Sequence, residues 1–340
     1  MQYRTLGGTG TVVSAQCLGT MTFGQESSEE IAHAQLDRFV EAGGNVVDTA
    51  DVYSRGVSEE IIGRWLASRP GMRDRLVIAT KGRFPMGEGP NDAGLSRTYL
   101  TRALEASLRR LQLDHIDLYQ AHAWDPLTPI DETLAFLDGA VRAGKIRYAG
   151  VSNFVGWQLQ KAALITRFHH LAPIVTLQPQ YNLLTRDVEL ELVDVCRNEN
   201  IGMLPWSPLA GGWLTGKYRR DSRPSGASRL GEDPERGMEA YGPRNALERT
   251  WQVIDSLRRV ADGRGVPMSH VALAWVADRP AVTSVILGAR TVEQLEDNLG
   301  ASDLHLTEKE SEVLTVISAP VVSDYPYGRA GVDQRDRRLP

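Results

Sequence analysis

Cysteine is nearly missing. Cys17 and Cys196 are the only two in 340 residues, too few for a disulfide framework or a thiolate metal centre. No apolar run approaches the ~18 residues of a membrane span. The opening MQYRTLGG has neither the charged region nor the apolar region of a secretion signal, so a cytoplasmic protein is expected. Strong charge of one sign is also lacking. With 38 basic and 43 acidic residues the net charge is −5, and no stretch concentrates Lys and Arg as phosphate binding would require, so a small-molecule partner is expected and nucleic acid is not. No internal repeat and no low-complexity tract is visible, and neither charge nor periodicity marks an oligomer interface.

What the chain does have is 42% hydrophobic residues in a regular rhythm. Short apolar runs end on small or polar residues at QCLGT (16–20), NVVDTA (45–50), RLVIATKG (75–82), IDLYQAH (116–122), KIRYAGVSN (145–153), IVTLQPQYN (174–182), IGMLPWSP (201–208) and TSVILGAR (283–290). Between them lie segments of helical period such as SSEEIAHAQLDRFVEAG, SRTYLTRALEASLRRLQ and DETLAFLDGAVRAG, read as carrying Ser or Asp before and Gly after. Strands apolar on both faces and separated by helices pair in parallel, and eight such units fit a (β/α)₈ TIM barrel, an α/β fold over residues 1–340 as one domain. An open doubly wound sheet is the alternative. It is disfavoured because Gly8-Thr9-Gly10 lacks the third glycine of a dinucleotide fingerprint and enters no helix. Leu6 to Ser14 reads instead as the turn of an N-terminal β-hairpin capping the barrel bottom.

Segments 83–95, 207–244 and 319–340 interrupt the rhythm. The middle one is rich in Gly, Arg, Pro and Ser, too polar to read as a packed element, and is expected to be a mobile loop that closes over a ligand at the catalytic face.

In a parallel barrel the polar residues at the C-terminal strand ends share one mouth. Asp48, Lys81 and His122 end three consecutive strands, and Tyr53 follows Asp48 by five residues. Each has an ordinary structural reading as a turn cap, a solvated cation or a satisfied core histidine; their convergence favours a site. A phenol of pKa about 10 is a poor acid at neutral pH, and a neighbouring ammonium lowers it. Lys81 is the expected neighbour, Asp48 the partner that keeps Lys81 charged, and His122 the group that orients a carbonyl while Tyr53 protonates it.

A protonated carbonyl also needs a hydride, and here LGTMTFG, DTADVY, ATKG, LYQAH, GKIRYAGVSN, QPQYN, PWSPLAGGWLTGKY and ILGARTVEQLEDNL stand in the order found in the aldo-keto reductase family. The chain resembles that family over nearly its whole length, most closely the potassium-channel beta subunit branch in retaining Trp206. The resemblance implies a barrel reductase using NADPH/NADP⁺, with Asp48, Tyr53, Lys81 and His122 as its catalytic tetrad. It sets Gly19, Thr20, Met21 and Asp48 against the cofactor, with Ser152, Asn153 and Gln178 on the carboxamide and Trp206 stacked on the nicotinamide. Ser207, Pro208, Leu209, Ala210, Gly211 and Lys217 approach the pyrophosphate, Arg229 closes the loop, and Gly288, Arg290, Gln294 and Asn298 hold the adenosine end. Arg290 just before a helix start also suits a 2′-phosphate, which favours NADPH over NADH. Met21, Phe23, Tyr53, Phe84, His122, Trp124 and Trp213 are the expected substrate pocket, with Tyr325 and Tyr327 as further candidates. The same branch makes an NADPH-binding regulatory or redox-sensing module of slow turnover the alternative function.

Competing motifs fail. GGWLTGK has phosphate-loop spacing, but Tyr218 replaces the required Ser or Thr and no helix follows. His169-His170 point to different faces without a partner at ligand spacing. A Schiff base on Lys81 leaves Tyr53 and Asp48 without a duty.

Overall fold

A computed structural model describes residues 1–226 and 228–336. Strands β1 (Tyr3–Thr5) and β2 (Val12–Ser14) form an antiparallel hairpin. Eight parallel strands follow, β3 (Gln16–Gly19), β4 (Val46–Asp48), β5 (Val77–Gly82), β6 (Ile116–Ala121), β7 (Ile146–Ser152), β8 (Ile174–Gln178), β9 (Gly202–Met203) and β10 (Val285–Gly288). Their spatial order is their chain order, with β10 paired to β3. Closure on the other side comes from a Met203–Val282 bridge and from the Ile286 N–H donating to the Pro205 carbonyl at 2.9 Å. The sheet is therefore the expected barrel, and all eight predicted runs are its strands.

Helices α1 (Glu29–Glu41), α2 (Val57–Ala67), α3 (Arg97–Leu111), α4 (Ile130–Arg142), α5 (Gly156–Phe168) and α6 (Leu192–Glu199) cover the strands from outside. Ser28 and Ser96 cap α1 and α3 by accepting N–H bonds from Ile31 and Tyr99, as the Ser-before-helix pattern predicts. After β9 come the short α7 (Arg229–Glu232) and α8 (Tyr241–Asn245), then α9 (Glu248–Arg264) and α10 (Met268–Ala277). Helices α11 (Val292–Leu299), α12 (Glu308–Ile317) and α13 (Arg329–Arg335) follow β10.

Leu6 and Val13 of the hairpin pack with Cys17, Val46, Val77, Leu118 and Val175 inside the barrel, so the hairpin plugs the bottom. Period two then carries each strand from that apolar floor to a polar top: Val46 to Asp48, Val77 through Ala79 to Lys81, Leu118 through Gln120 to His122. A floor sealed against water forces the strands' polar residues to the other end.

Two irregular segments hold more structure than their composition predicts. Within 207–244, Trp213 is fully buried, stacks on Tyr241 at 5.4 Å and meets Tyr218 and Trp251 edge-on at 5.2 and 5.7 Å. Four aromatics thus give a polar loop its own core, and the reading of it as unpacked is corrected. The 319–340 segment ends in α13; its residues 337–340 lie outside the described residues.

Candidate active site

The strand ends bring Asp48, Lys81 and Tyr53 into direct contact. The Lys81 ammonium, with no solvent exposure, donates to Asp48 Oδ2 at 2.6 Å, to the Thr49 carbonyl at 2.7 Å and to Tyr53 Oη at 3.3 Å. Those are all the hydrogens an ammonium has. Because Lys81 fills an acceptor position on Tyr53 Oη, the hydroxyl hydrogen of Tyr53 is left to point elsewhere. Asp48 in turn accepts from Gln178 at 2.8 Å and Gln120 at 3.4 Å through Oδ1.

Burial works against the Lys81 charge, but Asp48 and Tyr53 outweigh it and raise the Lys81 pKa above its ordinary value. For Tyr53 the outcome differs from the sequence expectation. Burial raises the phenol pKa by more than Lys81 lowers it, so the net shift is upward. Sequence spacing could identify the cation beside the phenol but not the desolvation that overrides it. Tyr53 is consequently a protonated acid throughout the neutral range.

His122 begins where β6 ends, its N–H donating to the Gly82 carbonyl at 3.1 Å. Its ring lies 5.9 Å from that of Tyr53 and 4.7 Å from Phe84, both edge-on. Burial, then the charges of Lys81 and Arg83, hold its pKa well below the ordinary value, which makes it a neutral imidazole at working pH.

Tyr53 is aimed by a strained turn. Ser54, Arg55 and Gly56 have φ of 49°, 54° and 97°, left-handed conformations that only the glycine adopts freely. Ser54 holds the turn by donating to the Phe23 carbonyl at 2.7 Å. Phe23 itself is fully buried and anchors the turn. The Trp213 ring is enclosed in the aromatic core of the loop, and its indole N–H donates to the Glu239 carbonyl at 3.0 Å. Met21 is exposed, and Phe84 and Trp124 are part-buried. Trp124 packs edge-on against Phe154 and Trp157 at 5.2 Å each. Neither Phe154 nor Trp157 was anticipated, although NFVGW directly follows the β7 end and the same strand-end logic reaches them. Gln120 was missed too, though it is the inward residue two before His122. Tyr327 bonds to Glu191 beside α6, and Tyr325 is exposed.

The residues expected against a cofactor fall into three groups. Beside the tetrad, Ser152 Oγ donates to the Gln178 carbonyl at 2.8 Å, while Trp206 Nε1 donates to Asn153 Oδ1 and Asn153 Nδ2 to the His122 carbonyl, both at 3.0 Å. The part-buried Trp206 ring is thereby pinned to the rim. Gly19 and Thr20 end the first barrel strand, and Thr20 Oγ1 is committed to the Asp48 carbonyl and Ser58. In the second group, Ser207, Ala210, Gly211 and Gly212 all have positive φ (51°, 49°, 63° and 100°), curling the chain after β9. Pro208 is buried there and Leu209 part-buried. A Cβ on Gly212 would lie 2.5 Å from Lys217 Nζ, so only glycine lets that ammonium cross the turn. Burial and the charges of Arg290 and Arg229 depress the Lys217 pKa, and Arg229 Nε is buried with no hydrogen-bond partner among the described residues. Lys217 and the orphaned donor of Arg229 form a fitting cradle for a diphosphate.

The third group gathers at the start of α11, where Gln294 Oε1 accepts from the Arg290 N–H at 2.9 Å and Asn298 Nδ2 donates to the Gly288 carbonyl at 3.2 Å. Arg290 is held by carboxylates. It donates to Glu26 at 2.9 Å and to both oxygens of Glu232 at 2.8 and 3.0 Å. Glu232 belongs to α7, so this ion pair ties the long loop to the barrel; no local pattern pairs residues that far apart in sequence.

Comparison with known proteins agrees with this geometry. A sequence profile described as the Aldo/keto reductase family matches residues 16–318. The chain is 38% identical over 326 residues to the Uncharacterized oxidoreductase YrpG of Bacillus subtilis (strain 168), covering 94% of this chain and 95% of that protein. It is 35% identical over 329 residues to a Probable voltage-gated potassium channel subunit beta of Oryza sativa subsp. japonica, covering 95% and 97%. Norsolorinic acid reductase stcV of Emericella nidulans is 35% identical over 314 residues, covering 88% and 77%.

Proposed function

The chain belongs to the aldo/keto reductase family and is a nicotinamide-dependent oxidoreductase, and from that premise we propose that it reduces an aldehyde or ketone to an alcohol with NADPH, using Tyr53 as the general acid. The observation that carries this reading is the bonding of Lys81. With its three hydrogens on Asp48, Thr49 and Tyr53, the Tyr53 hydrogen is the one free to leave. NADPH, when bound, supplies hydride to the carbonyl carbon. The protein supplies the rest: Tyr53 hands its proton to the carbonyl oxygen, and neutral His122 and the neighbouring aromatic edges orient that oxygen. The adjacent Lys81 ammonium stabilises the phenolate left behind.

Lys217 and Arg229 would bind the pyrophosphate, and Trp206, Asn153, Ser152 and Gln178 the nicotinamide end. Arg290 would exchange its carboxylate partners for the 2′-phosphate, which supports NADPH over NADH. Phe84, Trp124 and Trp157 favour an aromatic or otherwise bulky apolar carbonyl compound. Tyr53→Phe is expected to lower turnover by at least about 10²-fold, the lower range for a lost general acid, with NADPH affinity unchanged. Near-normal turnover of that variant would refute the assignment. Nucleotide binding by the unaltered protein with no NADPH oxidation across a broad carbonyl panel would favour a binding module of the kind the channel-subunit relatives suggest.

A further inference from the structure

Behind the Tyr53 turn lies a carboxyl group the reduction does not use. Asp51 has no solvent exposure, and among the described residues its oxygens have no hydrogen bond of normal geometry, only the weaker approaches of the Val52 N–H and the Tyr99 hydroxyl. The nearby cations are committed elsewhere. Arg110 Nε donates to Glu59 Oε2 at 2.7 Å, with Thr80 holding the other Glu59 oxygen at 2.6 Å, and Lys81 is taken by Asp48. Glu59, itself fully buried, presents Asp51 with a like charge. From α3 and β6 the surroundings are phenolic. Tyr99 donates to the Phe84 carbonyl at 2.7 Å and also approaches the Asp51 carboxyl, and the buried Tyr119 hydroxyl has no partner among the described residues.

Such a site suits a neutral acid and rejects an anion. A protonated Asp51 is a donor facing two phenol oxygens; an ionised one is a second negative charge beside Glu59 with no cation of its own. The position also reaches both halves of the active site. Asp51 lies two residues before Tyr53, its N–H donates to the Lys81 carbonyl at 3.1 Å, and Tyr99 beside it holds the backbone of Phe84, whose ring packs on His122.

We propose that Asp51 stands in the folded protein as a carboxylic acid and is a positioning residue for Tyr53 and His122, its ionisation weakening Tyr53 as a proton donor. The functional half of this rests on the reductase reading; the protonation half does not. Burial first and Glu59 second push the Asp51 pKa up to about 7, against the opposing pull of Arg110, the Val52 N–H and Lys81. The change therefore falls within the physiological range. Above it, a buried negative charge on the residue whose backbone bonds to Lys81 and leads into Tyr53 opposes formation of the phenolate, and a loss of about three- to tenfold in turnover follows.

Asp51→Asn, which keeps the shape and a donor but cannot ionise, tests both halves. The folded pKa is raised, so native protein keeps a proton that unfolded protein releases between about pH 4 and 7, and stability attributable to Asp51 falls across that window and stays low above it. Melting temperatures from pH 5 to 9 should show Asp51→Asn gaining on the unaltered protein as pH rises to 7, then holding its lead. Parallel curves would overturn the neutral acid. The ring resonance of His122, identified by its loss in His122→Asn, should step near pH 7 and cease to do so in Asp51→Asn; His122 is neutral throughout, so the step cannot be its own titration. NADPH oxidation with an aromatic aldehyde should fall across the same pH in the unaltered protein and stay level in the variant. Melting curves that diverge while the His122 signal and the turnover profile match between the two proteins would overturn the positioning role. Absence of turnover in the unaltered protein would count against the reductase reading alone, because melting and His122 spectra still judge Asp51.

Discussion

Replacing Asp48 by Asn removes the carboxylate ion-paired with a fully buried ammonium. In the folded protein Lys81 would keep two acceptors, the Thr49 carbonyl and the Tyr53 oxygen, both neutral. Breaking a buried ion pair by deleting one partner costs roughly 3–5 kcal/mol, because the other charge stays desolvated. With unfolding entropy near 2.1 cal/mol/K per residue, a 340-residue chain unfolds with about 0.7 kcal/mol/K, so a loss of about 4 kcal/mol lowers the melting temperature by about 5–6 °C. The pH dependence identifies the cause. In the unaltered protein the Lys81 pKa is raised, so its stabilisation is complete below the unfolded lysine value of about 10.4 and is lost only above it. In Asp48→Asn the folded pKa should drop below the unfolded one. Native protein then binds fewer protons than unfolded protein, and the deficit narrows as pH rises from 7 toward 10. Lys81→Met should behave differently. Asp48 keeps the amide donors Gln178 and Gln120, and with the ammonium gone the deficit carries no lysine titration and does not narrow between about pH 7 and 10. Scanning calorimetry of the three proteins at several pH values reads this directly. A deficit for Asp48→Asn under about 1 kcal/mol, or one that does not narrow with pH, would refute the claim that Asp48 is what keeps Lys81 charged.

Arg290→Ala should bring the dissociation constants of NADPH and NADH closer together by about tenfold or more, the scale of one charge-assisted contact, measured by quenching of tryptophan fluorescence. Equal constants for the two nucleotides in the unaltered protein would refute the 2′-phosphate role. In the long loop, Tyr241 Oη lies 2.6 Å from the Arg219 carbonyl and 3.1 Å from that of Ser222, on the stretch where trypsin would cut. Tyr241→Phe should hasten cleavage at Arg219, Arg220 or Arg223, and saturating NADPH should slow it in both proteins. A cleavage rate indifferent to both changes would show that neither the hydroxyl nor the nucleotide secures the loop.

The barrel was legible in the sequence because its two periods are local. Helical segments repeat at three and four, strands end on polar residues, and the strand-end set of Asp48, Lys81 and His122 follows from counting along each run. The tetrad therefore needed only a parallel barrel to bring it together. Gln120 and Trp157 were equally within reach of the same counting.

What the sequence could not decide depends on neighbours distant along the chain. The acidity of Tyr53 turns on how far burial outweighs Lys81, and burial is a property of the packed whole. Trp213 and Phe23 look like pocket aromatics until the fold encloses one among Tyr218, Tyr241 and Trp251 and seats the other under the Tyr53 turn. Arg290 reads as a free cation until Glu26 and Glu232 reach it from 264 and 58 residues away. Asp51 reads as one more polar residue on a loop. Only tertiary packing removes water from it, commits Arg110 and Lys81 to other carboxylates, and leaves it a buried acid behind the site, because desolvation and the pairing of charges are settled by what surrounds a group in space.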